Sequence, residues 1–269
     1  MPRPITTRQW WVPKLDRILQ KSFLRHLMPL NVRARVALEA KRPTMDRVDD
    51  IYRFWEQQKP HGNYFRPVKS SPRSETILVM LRPRITATDS ILEVGCNVGR
   101  NLNHLYQAGY RRLGGVELSR RAVERLRTSY PDLAAVPVDV GPAERVLPRH
   151  ETCFYDVVFT MAVLEHVHPA SKSVFAEMAR VAGKYVLTIE PRQGHASHRQ
   201  YPWDIVKEFE AVGLRVVEKR VWSSLWQVDR TRENHWNPDF DNYDAVLFSH
   251  VADNQRPHAV QSKRIEDAN

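Results

Sequence analysis

The sequence predicts an α/β protein in which a mainly parallel β-sheet is covered by helices on both faces. Short apolar runs typical of buried strands alternate with segments whose apolar residues recur at helical spacing. The first unit, residues 91–117, contains a strand, a glycine loop, a helix and a second strand. Five strand–helix pairs are followed by two strands without a long helix between them, so we expect a sheet of seven strands.

The bounds of the elements follow from this periodicity and from the residues that interrupt it. Gly109 and Gly213 are placed to end helices, and Gly183 is expected to break the chain before the fifth strand. The predicted strands are 91–94, 113–117, 133–140, 155–160, 185–189, 214–221 and 243–249. Helices are predicted over 46–58, 74–81, 173–181 and 205–211, among others.

The glycine loop after the first strand indicates a ligand site. Gly95 and Gly99 are separated by three residues, and such a loop lets a ligand approach backbone that a Cβ would block. Glu117 ends the second strand 22 positions after Gly95, close to the spacing at which an acidic side chain can bond ribose hydroxyls. The unit is therefore predicted to hold a nucleoside.

Two short motifs resemble a known enzyme family. The string ILEVGCNVGRNL resembles motif I of class I S-adenosylmethionine-dependent methyltransferases, whose usual core is E/D-x-G-x-G-x-G. Asn97 replaces the middle glycine, and asparagine tolerates left-handed backbone better than other residues do. The string LEHV, residues 164–167, is typical of small-molecule methyltransferases that include the ubiquinone and menaquinone biosynthesis enzymes. The resemblance covers about residues 74–250 and implies a Rossmann-like seven-stranded methyltransferase sheet with S-adenosyl-L-methionine as the cofactor.

The resemblance also implies which residues bind the cofactor. They are Glu93, Gly95, Cys96, Asn97, Gly99, Glu117, Leu118, Ala143 and Ala162. Cys96 is expected to serve in packing rather than in chemistry. Many relatives carry an aspartate for the adenine amino group where this chain has Pro142, so Glu144 or Asp139 is the alternative partner for that group.

Polar side chains follow the fourth and fifth predicted strands. In an open α/β sheet the reacting groups lie beyond the carboxyl ends of the strands, so we expect these side chains to border the methyl acceptor. If the acceptor is a hydroxyl or an ammonium group, it must lose a proton during methyl transfer. The candidate catalytic residues are His166, His198 and Glu190, and His166 is favoured over His198.

A metal site is an alternative that the sequence leaves open. The related pattern E-x-x-E-H binds a divalent metal in some ubiquinone O-methyltransferases and in small-RNA 2′-O-methyltransferases. Ala162 occupies the position of the first glutamate here, and we predict no metal site. The alternative is that Glu165, His166 and a later histidine form three ligands.

The chain is predicted to have three parts. Residues 1–72 form a basic helical arm and a lid, residues 73–250 form the cofactor-binding domain, and residues 251–269 form a polar tail. Much of the formal net charge of +10 lies before the glycine loop. Nucleic acid or an acidic membrane surface is a partner that the arm allows but that we do not favour. Packing of the amphipathic arm on the neighbouring domain is the favoured interpretation.

Composition excludes several classes of protein. Two cysteines provide neither a disulfide framework nor a zinc spacing. We expect a cytoplasmic protein, because no apolar run is long enough to span a bilayer and no secretory segment opens the chain.

The function predicted from these observations is methyl transfer from S-adenosylmethionine to an O or N acceptor of a small molecule, such as a sugar or another secondary metabolite. One alternative is an RNA methyltransferase that uses the basic arm. The other is a binding module without catalysis, since the changes at Asn97 and Pro142 affect two cofactor contacts.

Overall fold

The computed structural model of the protein describes residues 46–57, 72–192, 199–221 and 243–251. The predicted amphipathic helix of the arm, the segment between the last two strands and most of the tail lie outside these residues. His198 also lies outside them, so its catalytic role stays a prediction.

Seven strands form one mixed β-sheet. They are β1 Ile91–Val94, β2 Leu113–Glu117, β3 Val138–Val140, β4 Tyr155–Met161, β5 Ala182–Pro191, β6 Leu214–Val221 and β7 Tyr243–His250. Their order in the sheet is β3-β2-β1-β4-β5-β7-β6, with β1 to β5 parallel and β7 antiparallel to both of its neighbours. The predicted seven-stranded sheet is therefore confirmed. Because the strand order reverses between β1 and β4, a crevice for a ligand opens beyond their carboxyl ends.

Helices cover both faces of this sheet. They are α1 Val48–Glu56, α2 Pro72–Leu81, α3 Arg100–Gln107, α4 Arg120–Ser129, α5 Ala143–Val146, α6 Ser173–Val181 and α7 Ile205–Ala211. Ile77 of α2 and Leu102 of α3 belong to the apolar core on one face, whereas Phe175 of α6 and Phe209 of α7 belong to the core on the other. No helix in the described part of the chain is both long enough and apolar enough to cross a bilayer.

Two strands differ from the sequence prediction by more than one residue. The third was predicted over 133–140, but Pro131–Leu133 forms a turn of 3₁₀ helix and the strand is Val138–Val140. Pro137 lacks an N–H group and cannot donate to a ladder, which shortens this edge strand. The fifth strand was predicted to start after Gly183, but Gly183 lies inside β5, which extends in both directions to Ala182–Pro191.

Helix α1 lies against the loop that follows β4. The Tyr52 hydroxyl donates to Glu144 and lies 2.8 Å from the Ser171 hydroxyl, and burial of the Tyr52 phenol raises its pKa. The His168 Nε2–H donates to the Asp46 carbonyl oxygen at 2.9 Å. These contacts fix α1 over the carboxyl edge of the sheet, where a lid is expected.

Candidate active site

The glycine loop between β1 and α3 has left-handed backbone at three positions. The φ angles are 78° at Gly95, 51° at Asn97 and 77° at Gly99, so asparagine does adopt the conformation that the middle glycine would take. A Cβ added to Gly95 would lie 2.5 Å from a Val163 methyl carbon, and one added to Gly99 would lie 2.5 Å from Leu126 Cγ. The glycines are thus required by close packing against the protein itself, a reason that the sequence did not show.

Glu117 is held at the end of β2 by two backbone groups. The Asn97 N–H donates to its Oε2 and the Ser119 N–H donates to its Oε1, both at 2.8 Å. Burial raises the pKa of this carboxyl, and the two N–H donors oppose that shift because they stabilise the charged form. Each carboxylate oxygen retains a second lone pair, which is what a contact with a ribose hydroxyl needs.

The remaining predicted cofactor residues lie around this loop. Cys96 is buried, and its sulfur lies 2.8 Å from where a Cβ on Gly115 would be, so its side chain fills the space above β2. Burial raises the pKa of the Cys96 thiol well above its ordinary value, as expected of a packing residue. Leu118 and Ala143 are half-buried at the ends of the neighbouring strands β2 and β3.

The two carboxylates considered for the adenine amino group have other partners. Glu144 accepts the hydrogen bond of the Tyr52 hydroxyl from α1. Asp139 Oδ2 lies 3.3 Å from His150 Nε2. Each can still accept a further hydrogen bond, but Glu144 already binds α1 through Tyr52.

Glu93 on β1 belongs to a buried chain of polar groups. Asn101 Nδ2 donates to Glu93 Oε1 at 2.7 Å, and Asn101 Oδ1 accepts from the Ser74 hydroxyl at 2.7 Å. The second oxygen, Glu93 Oε2, is buried and has no hydrogen-bond partner among the described residues. Burial raises the pKa of this carboxyl to about 8.

Glu190 lies at the carboxyl end of β5, close to the loop after β4. It is 2% exposed, and the Val163 N–H lies 3.1 Å from both of its oxygens. Burial raises the pKa of the Glu190 carboxyl from 4.5 to about 7, the range suited to a general base. Ala162, just before Val163, has φ of 58°, a left-handed conformation that costs a residue with a Cβ about 1–2 kcal/mol. The strained turn aims the Val163 N–H at Glu190.

His166 is fixed on both sides of its ring. Its Nδ1 lies 2.9 Å from the Arg199 carbonyl oxygen, which can only accept, so Nδ1 carries a hydrogen. The other nitrogen, Nε2, lies 3.7 Å from Glu165 Oε1. The ring centroid of Trp55 from α1 lies 4.6 Å from that of His166, so α1 packs against this side chain.

Glu165 connects the loop after β4 with distant segments. It is 8% exposed, accepts from the Tyr243 hydroxyl at 2.9 Å and accepts from the Gln200 amide. Neither Tyr243 nor Gln200 was predicted as a site residue. Within the described ranges, no three His, Cys, Asp or Glu side chains lie together as ligands for a metal ion.

Comparison with known proteins agrees with this geometry. Residues 92–185 match the family model described as a methyltransferase domain. No curated protein matches the chain. The matched residues run from β1 into β5 and include the glycine loop, Glu117 and the loop after β4.

Solved methyltransferase structures share the fold. Geranyl diphosphate C-methyltransferase from Streptomyces coelicolor A3(2), solved with Mg²⁺, geranyl diphosphate and S-adenosyl-L-homocysteine, is 13% identical, with 76% of this chain and 98% of that chain covered and a TM-score of 0.56. Magnesium protoporphyrin IX methyltransferase from Synechocystis PCC 6803, with bound S-adenosylmethionine, is 15% identical over 75% and 90% of the chains at a TM-score of 0.51. A putative methyltransferase in complex with the Haloferax volcanii Trm112 activator is 16% identical over 66% and 89%, with a TM-score of 0.52.

The strand order, the glycine loop and the family match together define a methyltransferase domain. Residues 92–185 form a methyltransferase domain, and the sheet has the fold of class I S-adenosylmethionine-dependent methyltransferases. The cofactor of this domain is S-adenosylmethionine. The residues present fit that cofactor, because Glu117 has lone pairs for ribose hydroxyls and because Glu93 Oε2 and Asn97 Oδ1 are buried polar atoms without partners in the described part of the chain. The closer resemblance to ubiquinone and menaquinone enzymes stays a prediction.

Proposed function

We propose that the protein methylates an oxygen or nitrogen of a small molecule, such as a sugar or another secondary metabolite, with Glu190 as the group that accepts the proton. The observation that carries this proposal is the buried Glu190 carboxyl beyond the carboxyl end of β5, whose pKa is raised by burial to about 7. A carboxyl of this kind is ionised in a large fraction of molecules near neutral pH and is basic enough to take a proton. A hydroxyl or ammonium acceptor would have to lose one.

The bound cofactor would supply a methyl group on a sulfonium sulfur that leaves as a neutral thioether, so the protein has mainly to align and deprotonate the acceptor. Glu117 and the glycine loop would orient the nucleoside end. Trp55 and the loop after β4 would exclude water from the acceptor side, since α1 covers His166. His166 is the second candidate base. Because its Nε2 lies opposite Glu165 Oε1, the His166 ring must move before Nε2 can reach the methyl acceptor.

The test is methyl transfer from methyl-labelled S-adenosylmethionine to a panel of alcohols, phenols, amines and carboxylic acids. Glu190→Gln should lower turnover on the best acceptor by about 10²–10⁴-fold at neutral pH, the usual effect of removing a general base. His166→Ala is run beside it, and Glu124→Gln on the exposed side of α4 is the matched control. Full turnover of Glu190→Gln with unchanged cofactor affinity would remove Glu190 from the mechanism.

A second candidate, methylation of RNA, is favoured by the distribution of charge. Residues 1–71 contain 15 Lys and Arg and six Asp and Glu, so they carry +9 of the net +10 and leave the remaining residues near neutrality. We propose that residues 1–72 act as an arm and lid distinct from the domain at 73–250. If the arm binds RNA, affinity should fall steeply with salt and disappear when residues 1–45 are deleted. If the full-length protein does not bind RNA, this candidate function is excluded.

We also propose a reducing compartment, the cytoplasm, as the place of action. Cys96 and Cys153 are both free thiols, and Cys96 is buried where it cannot pair. Recovery of a disulfide-linked form from cells, seen as a shift on non-reducing electrophoresis, would contradict it.

A further inference from the structure

Glu190 is a buried carboxyl without a cationic partner in the described part of the chain. The side chain is 2% exposed, and no lysine, arginine or histidine of the described ranges lies within ion-pair distance of it. The Val163 N–H lies 3.1 Å from both of its oxygens. Because a buried charge is costly unless an opposite charge compensates it, the ionised form of Glu190 is complementary to a positively charged ligand.

The charged groups that the described residues place around Glu190 are acidic or already paired. Glu165, from the loop after β4, lines the same cavity as Glu190. Burial raises the pKa of the Glu190 carboxyl, and the Glu165 carboxyl beside it raises this pKa further. Asp244 lies opposite Glu190 in the ladder between β5 and β7, and it is bound by Arg192 at 3.0 Å and by Lys219 at 2.9 Å. These two cations therefore compensate Asp244 rather than Glu190.

Glu190 lies beside the crevice that receives the cofactor. Its donor Val163 also packs on the glycine loop, since a Val163 methyl carbon would lie 2.5 Å from a Cβ on Gly95. Strand β5 is next to β4 in the sheet, so Glu190 ends its strand at the same edge as the crevice between β1 and β4. Tyr201 lines the cavity next to Glu190, and burial raises the pKa of its phenol to about 12, so this group stays neutral. The carboxyl is thus one residue away from the loop that approaches S-adenosylmethionine, whose sulfonium is positively charged.

We propose that the ionised Glu190 carboxylate discriminates between the two forms of the cofactor, favouring the sulfonium of S-adenosylmethionine over the neutral thioether of S-adenosylhomocysteine. The inference rests on the proposed function, because it assigns a second role to the same carboxyl. When Glu190 takes the proton of the acceptor, the acceptor bonds the methyl carbon, and the carbon–sulfur bond breaks with its electron pair on sulfur. The negative and the positive charge disappear in the same step. The demethylated cofactor therefore loses this attraction and is released more easily.

The preference should depend on pH with a defined sign. In the free protein burial raises the pKa of the Glu190 carboxyl to about 7, and a nearby sulfonium would lower this pKa. The attraction is therefore fully present above about pH 7, and it is lost as pH falls through the lowered pKa of the complex. Opposite charges inside a protein attract strongly enough to change an affinity about tenfold or more. The ratio of the two affinities should favour S-adenosylmethionine more at the alkaline end.

Isothermal titration with S-adenosylmethionine and with S-adenosylhomocysteine, at about pH 5 and about pH 8, measures this ratio on either side of the titration. The comparison is between the wild-type protein and Glu190→Gln, which retains the shape of the side chain but cannot ionise. Between the two pH values, the ratio should change about tenfold more in the wild type than in Glu190→Gln. The amino groups of the ligands and the other acids of the protein titrate in both cases, so their contributions cancel.

Two control variants keep the outcome interpretable. Glu190→Asp retains the charge and should keep part of the pH-dependent change, which also answers for a packing defect in Glu190→Gln. Glu124→Gln, on the exposed side of α4, should behave as wild type. The same change of the ratio in wild type and Glu190→Gln would overturn the inference, and so would a wild-type protein that binds neither ligand.

Turnover separates this inference from the proposed function. If Glu190→Gln loses the pH-dependent preference but keeps full turnover, the discrimination by charge stands and the role of Glu190 as the base is refuted. If turnover falls while the pH-dependent preference persists in Glu190→Gln, the base role stands and the inference is overturned.

Discussion

Replacing Glu190 by glutamine should change how the stability of the protein depends on pH. The amide has nearly the shape of the carboxyl and its oxygen can accept from the Val163 N–H, so packing is preserved. What is removed is the titration of a buried acid. In the unfolded chain this carboxyl ionises above its ordinary pKa of 4.5, and in the folded protein it ionises above about 7.

The sign follows from proton binding. Between these two pKa values the folded protein holds a proton that the unfolded chain has lost, so the free energy of unfolding falls as pH rises through this window. For pKa values of 4.5 and about 7, the loss between about pH 5.5 and 8.5 is roughly 2 kcal/mol. Glu190→Gln should lack this loss and be the more stable protein at the alkaline end.

The assay is urea unfolding of both proteins at the two pH values, with the difference between them as the result. The contributions of other groups, including the raised pKa of Glu93, are present in both proteins and cancel. Glu124→Gln, on the exposed side of α4, should behave as wild type. If wild type and Glu190→Gln lose the same stability between the two pH values, the Glu190 carboxyl has an ordinary pKa and the argument for a base is lost.

Three further outcomes are expected. Glu117→Ala should weaken S-adenosylhomocysteine binding by roughly 1–3 kcal/mol in calorimetry, because a charged acceptor for ribose is lost, and an unchanged affinity would contradict this role. Gly95→Ala should lower the free energy of unfolding by roughly 2–4 kcal/mol, because its φ is left-handed and its Cβ would overlap Val163; a loss under about 0.5 kcal/mol would refute the packing argument. Tyr52→Phe should cost roughly 1–2 kcal/mol in the same assay, since Glu144 loses its donor, whereas wild-type stability would show that this contact does not hold α1 in place.

Helices and strands that are specified by their own residues were predicted with the correct first and last residue. Helices α6, Ser173–Val181, and α7, Ile205–Ala211, match the sequence prediction because their apolar spacing and their end residues are local features. The strand β6, Leu214–Val221, also matches, because Gly213 ends the helix before it and its valines favour extended backbone.

The strands that were predicted wrongly depend on their neighbours. An apolar run through Pro137 suggested a long third strand, yet the strand length is set by how many backbone groups β2 can pair with. Gly183 suggested a break, but the extended backbone there continues a ladder in which Ala182 pairs with Tyr155 of β4. Tertiary pairing overrides local preference in both cases.

The same difference between local and tertiary signals explains which residues of the candidate site could be predicted from the sequence. Glu117 was found from the sequence because its position follows from the length of one β-α-β unit. The partners of Glu165 were not found, because Gln200 and Tyr243 are 35 and 78 positions away and meet it through the packing of separate strands.

The Tyr155 side chain from β4 occupies the space that a side chain at Gly114 in β2 would need. A Cβ on Gly114 would overlap the Tyr155 hydroxyl and lie 2.9 Å from Cζ, so the tyrosine occupies the space of the missing side chain from two strands away. Burial raises the pKa of the Tyr155 phenol to about 12, so the ring stays neutral there. Residues 114 and 155 should therefore vary together across homologous sequences. Homologues with a side chain at position 114 should have a residue smaller than tyrosine at position 155. A homologue with both a side chain at 114 and a tyrosine at 155 should have a displaced second strand.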